Sequence, residues 1–302
     1  MNPPKETPAL SHTKRVTTSL IAGAFAGAIA KTAIAPLDRT KINFQTSHER
    51  FSHTKAAKFI VKTYRQDGLF SLWRGNSATM ARIVPYAALQ FSAHEQWKHV
   101  LGIVDHEHGK HTSETLQYKR FVAGSLAGMT AQSLTYPLDL TRARLAVSPR
   151  SRYTNLLDVF SKIVKEEGFS TLYRGYIATM VGVIPYAGTS FFVYESLKNW
   201  HARKSEQPIN PLERLIYGAT AGGIAQTSSY PLDIVRRRLQ VGQFSRGYSY
   251  SIIGILKEVY REEGIFHGWF KGITLNFIKG PIAVGLSFVT FDLMQNFLRT
   301  IV

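Results

Sequence analysis

Apolar positions along the chain fall into six long runs, each broken by a few charges, with a shorter amphipathic stretch inside each successive pair. The first run of each pair covers Thr17–Phe44, Lys119–Ala146 and Leu212–Gln240; the second covers Asn76–Leu101, Tyr176–His201 and Thr274–Thr300. All exceed the roughly 20 residues that a helix needs to cross a bilayer. Ala, Gly and Ser dominate the early turns of the first set. Such composition lets helix backbones approach closely in lipid, so the glycines four apart (Gly23 and Gly27, Gly124 and Gly128, Gly218 and Gly222) are expected to serve packing. The stretches Thr54–Gln66, Thr154–Glu166 and Ser251–Glu262 have helical spacing, with Phe59 and Tyr64, Val159 and Ile163, Leu256 and Tyr260 on the apolar side. Their other faces carry Lys and Arg, as in a helix lying at a membrane surface. The pattern predicts an all-α membrane protein of six transmembrane helices, built three times as helix, short amphipathic helix, helix.

The three units are copies of one another. Pro36-Leu37-Asp38-Arg39-Thr40-Lys41, Pro137-Leu138-Asp139-Leu140-Thr141-Arg142 and Pro231-Leu232-Asp233-Ile234-Val235-Arg236 share the pattern proline-x-acid-x-x-base. Further along each copy comes an acid-glycine pair, then an aromatic-base-glycine triplet: Trp73-Arg74-Gly75, Tyr173-Arg174-Gly175 and Phe270-Lys271-Gly272. The boundaries drawn are a polar tail at 1–16 and repeats at 17–105, 117–203 and 211–301, joined by polar linkers. A period near a hundred residues is far longer than that of a solenoid. It predicts a threefold pseudo-symmetric body whose axis is a natural pathway.

Composition bears on this in two ways. Mean hydropathy is only −0.09, which taken alone suggests a soluble protein. The interrupting charges, however, fall at matching places in each repeat, and ionisable groups in membrane helices usually face a bundle interior or a wet cavity. Helices lining an aqueous cavity resolve the conflict. The net charge of +17 points to anionic partners. Cysteine is absent, which excludes disulfides, thiolate chemistry and cysteine zinc sites. No nucleophile–base set, metal cluster or phosphate-binding glycine loop is present, so neither an enzyme nor a cofactor is expected. The polar N-terminus shows no signal peptide. Basic residues concentrate in the loops inside the repeats, which places those loops on one side and both termini on the other.

Together these residues resemble the mitochondrial carrier family over nearly the whole chain. The resemblance implies a six-helix bundle in the mitochondrial inner membrane that exchanges solutes by alternating access. It implies a matrix gate of three pairs, Asp38–Arg142, Asp139–Arg236 and Asp233–Lys41, braced by Gln45 and Gln240; Ala146 stands where a third glutamine would be. The family's second basic position holds Arg144 and Arg238, but Asn43 in the first repeat. A cytoplasmic gate is implied near the ends of the even helices, paired Glu95–Lys198, Asp292–Lys98 and Glu195–Gln295. The run Arg236-Arg237-Arg238 gives its first member to a gate; the other two are expected to meet anionic headgroups.

Thirteen residues before each outer acid lie Arg82, Gly182 and Lys279, about 20 Å from the outer gate at 1.5 Å per residue and so deep in the bilayer. Two cations at one level, with a glycine making room on the third helix, suit a bulky anion with a flat group. Gly182-Val183 resembles the pair that adenine-nucleotide carriers place beside the base, and Arg82 and Lys279 resemble their phosphate contacts. Lys31, Gln132 and Gln226 each precede a motif proline by five; Lys31 is expected to meet phosphate. Ala33–Lys41, Ser71–Met80, Gln90–Glu95 and Lys279–Gly285 look like the coenzyme A branch. That likeness implies an antiporter, acting as a monomer, that imports coenzyme A or dephospho-coenzyme A in exchange for ADP or adenosine 3′,5′-diphosphate. It also implies contact with anionic lipid such as cardiolipin. An ATP-Mg/phosphate or ADP/ATP-type exchanger is the alternative. A soluble nucleic-acid-binding repeat protein leaves the prolines and intramembrane acids unexplained.

Overall fold

A computed structural model of the chain describes residues 12–103, 114–149, 151–205, 209–242 and 251–301. Six long helices, α1 (His12–Thr46), α3 (Asn76–Val100), α4 (Glu114–Val147), α6 (Tyr176–Lys204), α7 (Pro211–Val241) and α9 (Ile273–Ile301), alternate with α2 (His53–Asp67), α5 (Leu156–Lys162) and α8 (Ile252–Glu263). α1 begins inside the segment expected to be tail, and residues 1–11 lie outside the described part. Most of the expected linker between the first two repeats is likewise outside it. By length and composition alone, three stretches among the described residues, Thr17–Thr46, Phe169–Lys204 and Ile265–Thr300, qualify as membrane spans. α3, α4 and α7 are equally helical; charge on their inner faces lowers their average.

The helices stand in a ring. α3 packs along α4, α6 along α7 and α9 along α1, while the three motif-bearing helices α1, α4 and α7 also touch one another. Stripes of alanine four apart make the close approaches: Ala22, Ala26 and Ala30; Ala123, Ala127 and Ala131; Ala221 and Ala225, all nearly inaccessible. The glycines expected to do this work do not. A methyl group added at Gly23, Gly27, Gly124, Gly128, Gly218 or Gly222 meets nothing within 4 Å. Each follows an alanine of the stripe or lies about a turn from it, and so points one step around the helix, into open space. Large apolar side chains such as Phe91, Ile184, Phe192 and Leu293 are exposed on α3, α6 and α9, as lipid-facing residues must be.

All six long helices contain a proline and continue through it. Proline removes one backbone donor, leaving the carbonyl four residues earlier without its usual partner. For Pro36 that is the carbonyl of Thr32, which accepts the indole N–H of Trp73 at 2.7 Å. The triplet glycines make the sharp entries into α3 and α6. Gly75 has φ +90° and Gly175 φ +81°, and a Cβ at either position would lie 2.9 or 3.0 Å from the carbonyl oxygen of Arg142 or Arg236. Glycine tolerates that backbone and that proximity. On the amphipathic helices Val159 and Ile163 are fully buried as expected, whereas Tyr64 and Tyr260 are about half exposed; Tyr260 leans on Trp269 with ring centroids 5.9 Å apart.

Candidate functional site: a closed ring beneath an open cavity

The three repeated acids converge where α1, α4 and α7 meet. Asp38 Oδ2 lies 2.5 Å from Arg142 Nη2, Asp139 Oδ2 2.5 Å from Arg236 Nη2, and Asp233 Oδ2 2.8 Å from Lys41 Nζ. Each pair joins successive motif helices, because acid and base three apart lie on adjacent flanks of one helix and reach opposite neighbours. The carboxylates are only 2–17 % exposed. Beneath two of these pairs sit the glutamines. Gln240 Nε2 donates to Asp139 Oδ2 at 2.6 Å and to Tyr136 Oη at 3.2 Å; Gln45 Nε2 donates to Asp233 Oδ2 and Tyr230 Oη, both at 3.2 Å. Both tyrosine hydroxyls in turn donate at 2.8 Å to triplet carbonyls, those of Arg174 and Lys271.

The first interface lacks both parts of this brace. Ala146 replaces the glutamine and Ala35 the tyrosine. A different tie holds it. Arg144 Nε donates to the carbonyl of Gln240 at 3.1 Å and Arg238 Nε to that of Gln45 at 3.3 Å, each also pairing with an acid, the partly buried Glu167 or the buried Glu263. Asn43 cannot repeat this, but Arg39, one turn earlier, reaches the equivalent carbonyl of Ala146 at 3.0 Å and also bonds Ser71. Arg39, Tyr136 and Tyr230 carry structure at the ring that the repeat pattern does not announce. The tyrosines are signalled only by immediately preceding two of the three motif prolines.

Two expectations need correction. Arg237 and Arg238 do not meet lipid headgroups: Arg237 donates to Gln240 Oε1 at 2.8 Å and lies 3.5 Å from Asp139, while Arg238 is buried against Glu263. Among the described residues, the outer ring also shows none of the expected pairs across helices. Lys98 bonds Glu95 at 3.1 Å and Lys198 bonds Glu195 at 3.0 Å, each within its own helix, and Gln295 donates to Ser19 of α1 at 3.2 Å. Glu95 and Asp292 are exposed. With the motif ring closed, the far helix ends stand apart, and residues three apart on one helix become the nearest partners.

Between the two rings lies a cavity of about 590 Å³, lined by α3, α4, α6 and α7. Gly124, Gly128, Gly182, Val183 and Tyr186 form part of its wall, and Asp233 and Arg236 its floor. Arg82 stacks on Tyr86, 4.8 Å from the ring centre, and bonds Gln132 Oε1 and Asp139 Oδ1, both at 3.0 Å. Lys279 Nζ lies 2.7 Å from Asp38 Oδ1. The two cations expected to face the axis therefore turn toward the ring and share its acids. Lys31 is exposed and feels Asp38, Lys279, Arg142 and Arg82 electrostatically. The buried Nε2 of Gln132 has no partner among the described residues.

Comparison with known proteins agrees with this architecture. The family model described as mitochondrial carrier protein matches three times, over residues 12–104, 114–205 and 207–301. The chain is 56 % identical over 289 residues to the mitochondrial coenzyme A transporter of Danio rerio, covering 95 % of this chain and 88 % of that one. It is 54 % identical over 288 residues to the same transporter of Homo sapiens, covering 95 % and 89 %. Solute carrier family 25 member 16 of Homo sapiens is 38 % identical over 301 residues, covering 92 % and 87 %. With three matches tiling the chain and one ion pair at each junction of its motif helices, the protein belongs to the mitochondrial carrier family.

Proposed function

We propose that this chain is a coenzyme A antiporter of the mitochondrial inner membrane, a transporter rather than an enzyme, with both termini on the intermembrane-space side. Coenzyme A, or dephospho-coenzyme A, enters in exchange for an adenine nucleotide such as ADP or adenosine 3′,5′-diphosphate. The observation that carries the mechanism is the sharing of Asp38 and Asp139 between gate bases and two further cations, Lys279 and Arg82. Phosphate competes for those cations: arginine clamps it through two parallel bonds and lysine meets it as a point charge. Lys31 makes the first contact, being exposed and within the electrostatic reach of Asp38, Lys279 and Arg82. As phosphates draw Arg82 and Lys279 away, Asp139 and Asp38 each lose one counter-ion, and the ring weakens. Cargo that binds the loosened state better than the closed one shifts the equilibrium toward matrix opening. The adenine lies against Gly182 and Val183, where the missing side chain leaves room for a flat ring. The outer ring, Glu95, Lys98, Glu195, Lys198, Asp292 and Gln295, pairs across helices when the matrix side opens. The transporter acts as a monomer, its basic amphipathic helices resting on anionic lipid such as cardiolipin.

The identity to coenzyme A transporters over 95 % of the chain supports this cargo over an ATP-Mg/phosphate or ADP/ATP exchange. The test is uptake of labelled coenzyme A by liposomes holding the purified protein and internal ADP. Saturable uptake that needs the internal nucleotide is expected. Movement of ATP or phosphate with no coenzyme A would overturn the cargo while leaving the antiport.

A further inference from the structure

The charges around the ring do not balance. Among the described residues, Lys31, Lys41, Arg82, Arg142, Arg236, Arg237 and Lys279 pair with or act electrostatically on Asp38, Asp139 and Asp233, seven cations against three carboxylates and a surplus of four. Arg39 instead bonds the carbonyls of Ala146 and Ser71. Three gate bases match the three acids, and Lys31, Arg82 and Lys279 are the cargo contacts. The fourth surplus charge is Arg237. Its side chain is 12 % exposed and sits between two acids, 3.5 Å from Asp139 and 4.0 Å from Asp233. The first two repeats have Ile42 and Ala143 at this position, both buried, so only the third repeat contributes a charge there.

We propose that Arg237 is a specificity-determining residue that sets this chamber for cargo bearing about four negative charges. An open cavity hydrates surplus cations. Between the two open states both ends close, water is excluded, and each unmatched charge becomes costly. Cargo whose charge equals the surplus crosses that state with least penalty, and poorly matched cargo is rejected by the charge left over. A phosphomonoester carries about two negative charges near neutral pH. A nucleotide with a 3′-phosphate and a pyrophosphate diester, or with separate 3′- and 5′-phosphates, therefore carries about four. ADP carries about three, and a nucleotide pyrophosphate diester without the 3′-phosphate about two. Arg237 acts at a distance, through the field of the ring, and donates to Gln240 rather than to the cavity.

This rests on the coenzyme A reading, and the test separates the two. Exchange rates are measured in liposomes for coenzyme A, dephospho-coenzyme A, and the isomers adenosine 3′,5′-diphosphate and ADP. The native protein is expected to prefer each about four-charge member over its partner of lower charge. Arg237→Gln is expected to reduce the preference between the isomers about tenfold, and Arg237→Lys to keep it. A general loosening of the gate would lower both isomers equally. Equal loss in Arg237→Gln, or native preference for ADP and dephospho-coenzyme A, overturns the charge match even if coenzyme A moves. Absence of coenzyme A uptake by the native protein overturns the cargo reading instead. Should Arg237→Gln not fold, the native ranking decides.

Discussion

At the scale of residues, repetition makes chemistry visible and departures from it hide chemistry. Asp38, Asp139, Asp233 and their bases were legible because three copies share one spacing. Arg39 was not: it stands between gate residues at a position that the other repeats fill with Leu140 and Ile234. Its guanidinium carries the α1–α4 tie that Asn43 cannot make. Arg39→Leu should lower stability by about 1–3 kcal/mol, since two buried carbonyls lose a charged donor; thermal unfolding in detergent measures this. The cavity cations behave differently. Arg82→Gln and Lys279→Gln should each reduce coenzyme A exchange more than tenfold in the liposome assay. The melting temperature should stay near that of the native chain, because each partner acid keeps its gate base. A collapse of stability equal to the loss of transport would make them structural instead.

At the scale of elements, the six helices and three amphipathic segments followed from periodicity, with ends displaced by a few residues. What periodicity left open was which small residue faces what. Alanine and glycine run side by side in α1, α4 and α7, and hydropathy does not tell a packed stripe from a cavity stripe. Here alanines are packed and glycines open. Gly124→Ala and Gly128→Ala should therefore fold normally, gaining about 0.5–1 kcal/mol of helix stability per site. Their transport should nevertheless fall, because the outer ends of α3, α4 and α6 must approach when the cavity closes. Melting curves beside exchange rates separate the two effects. Unchanged transport in both variants would show that this wall does not close on itself.

At the scale of the whole molecule, a sequence specifies a carrier's two rings but not which one is shut. Among the described residues the expected outer pairs Glu95–Lys198, Asp292–Lys98 and Glu195–Gln295 are not formed, while all three inner pairs are, so the cavity opens away from the motif ring. Both arrangements are compatible with the same residues, and on the proposed mechanism cargo selects between them. On that mechanism, coenzyme A opens the inner ring. The native chain contains no cysteine, so Ser190→Cys places a single thiol on the cavity wall. Its labelling by a membrane-impermeant thiol reagent applied from the matrix side is the direct measurement. Labelling should be negligible without cargo, rise when coenzyme A is supplied, and fail to rise in the same protein carrying Arg82→Gln. Labelling that coenzyme A leaves unchanged would contradict the account.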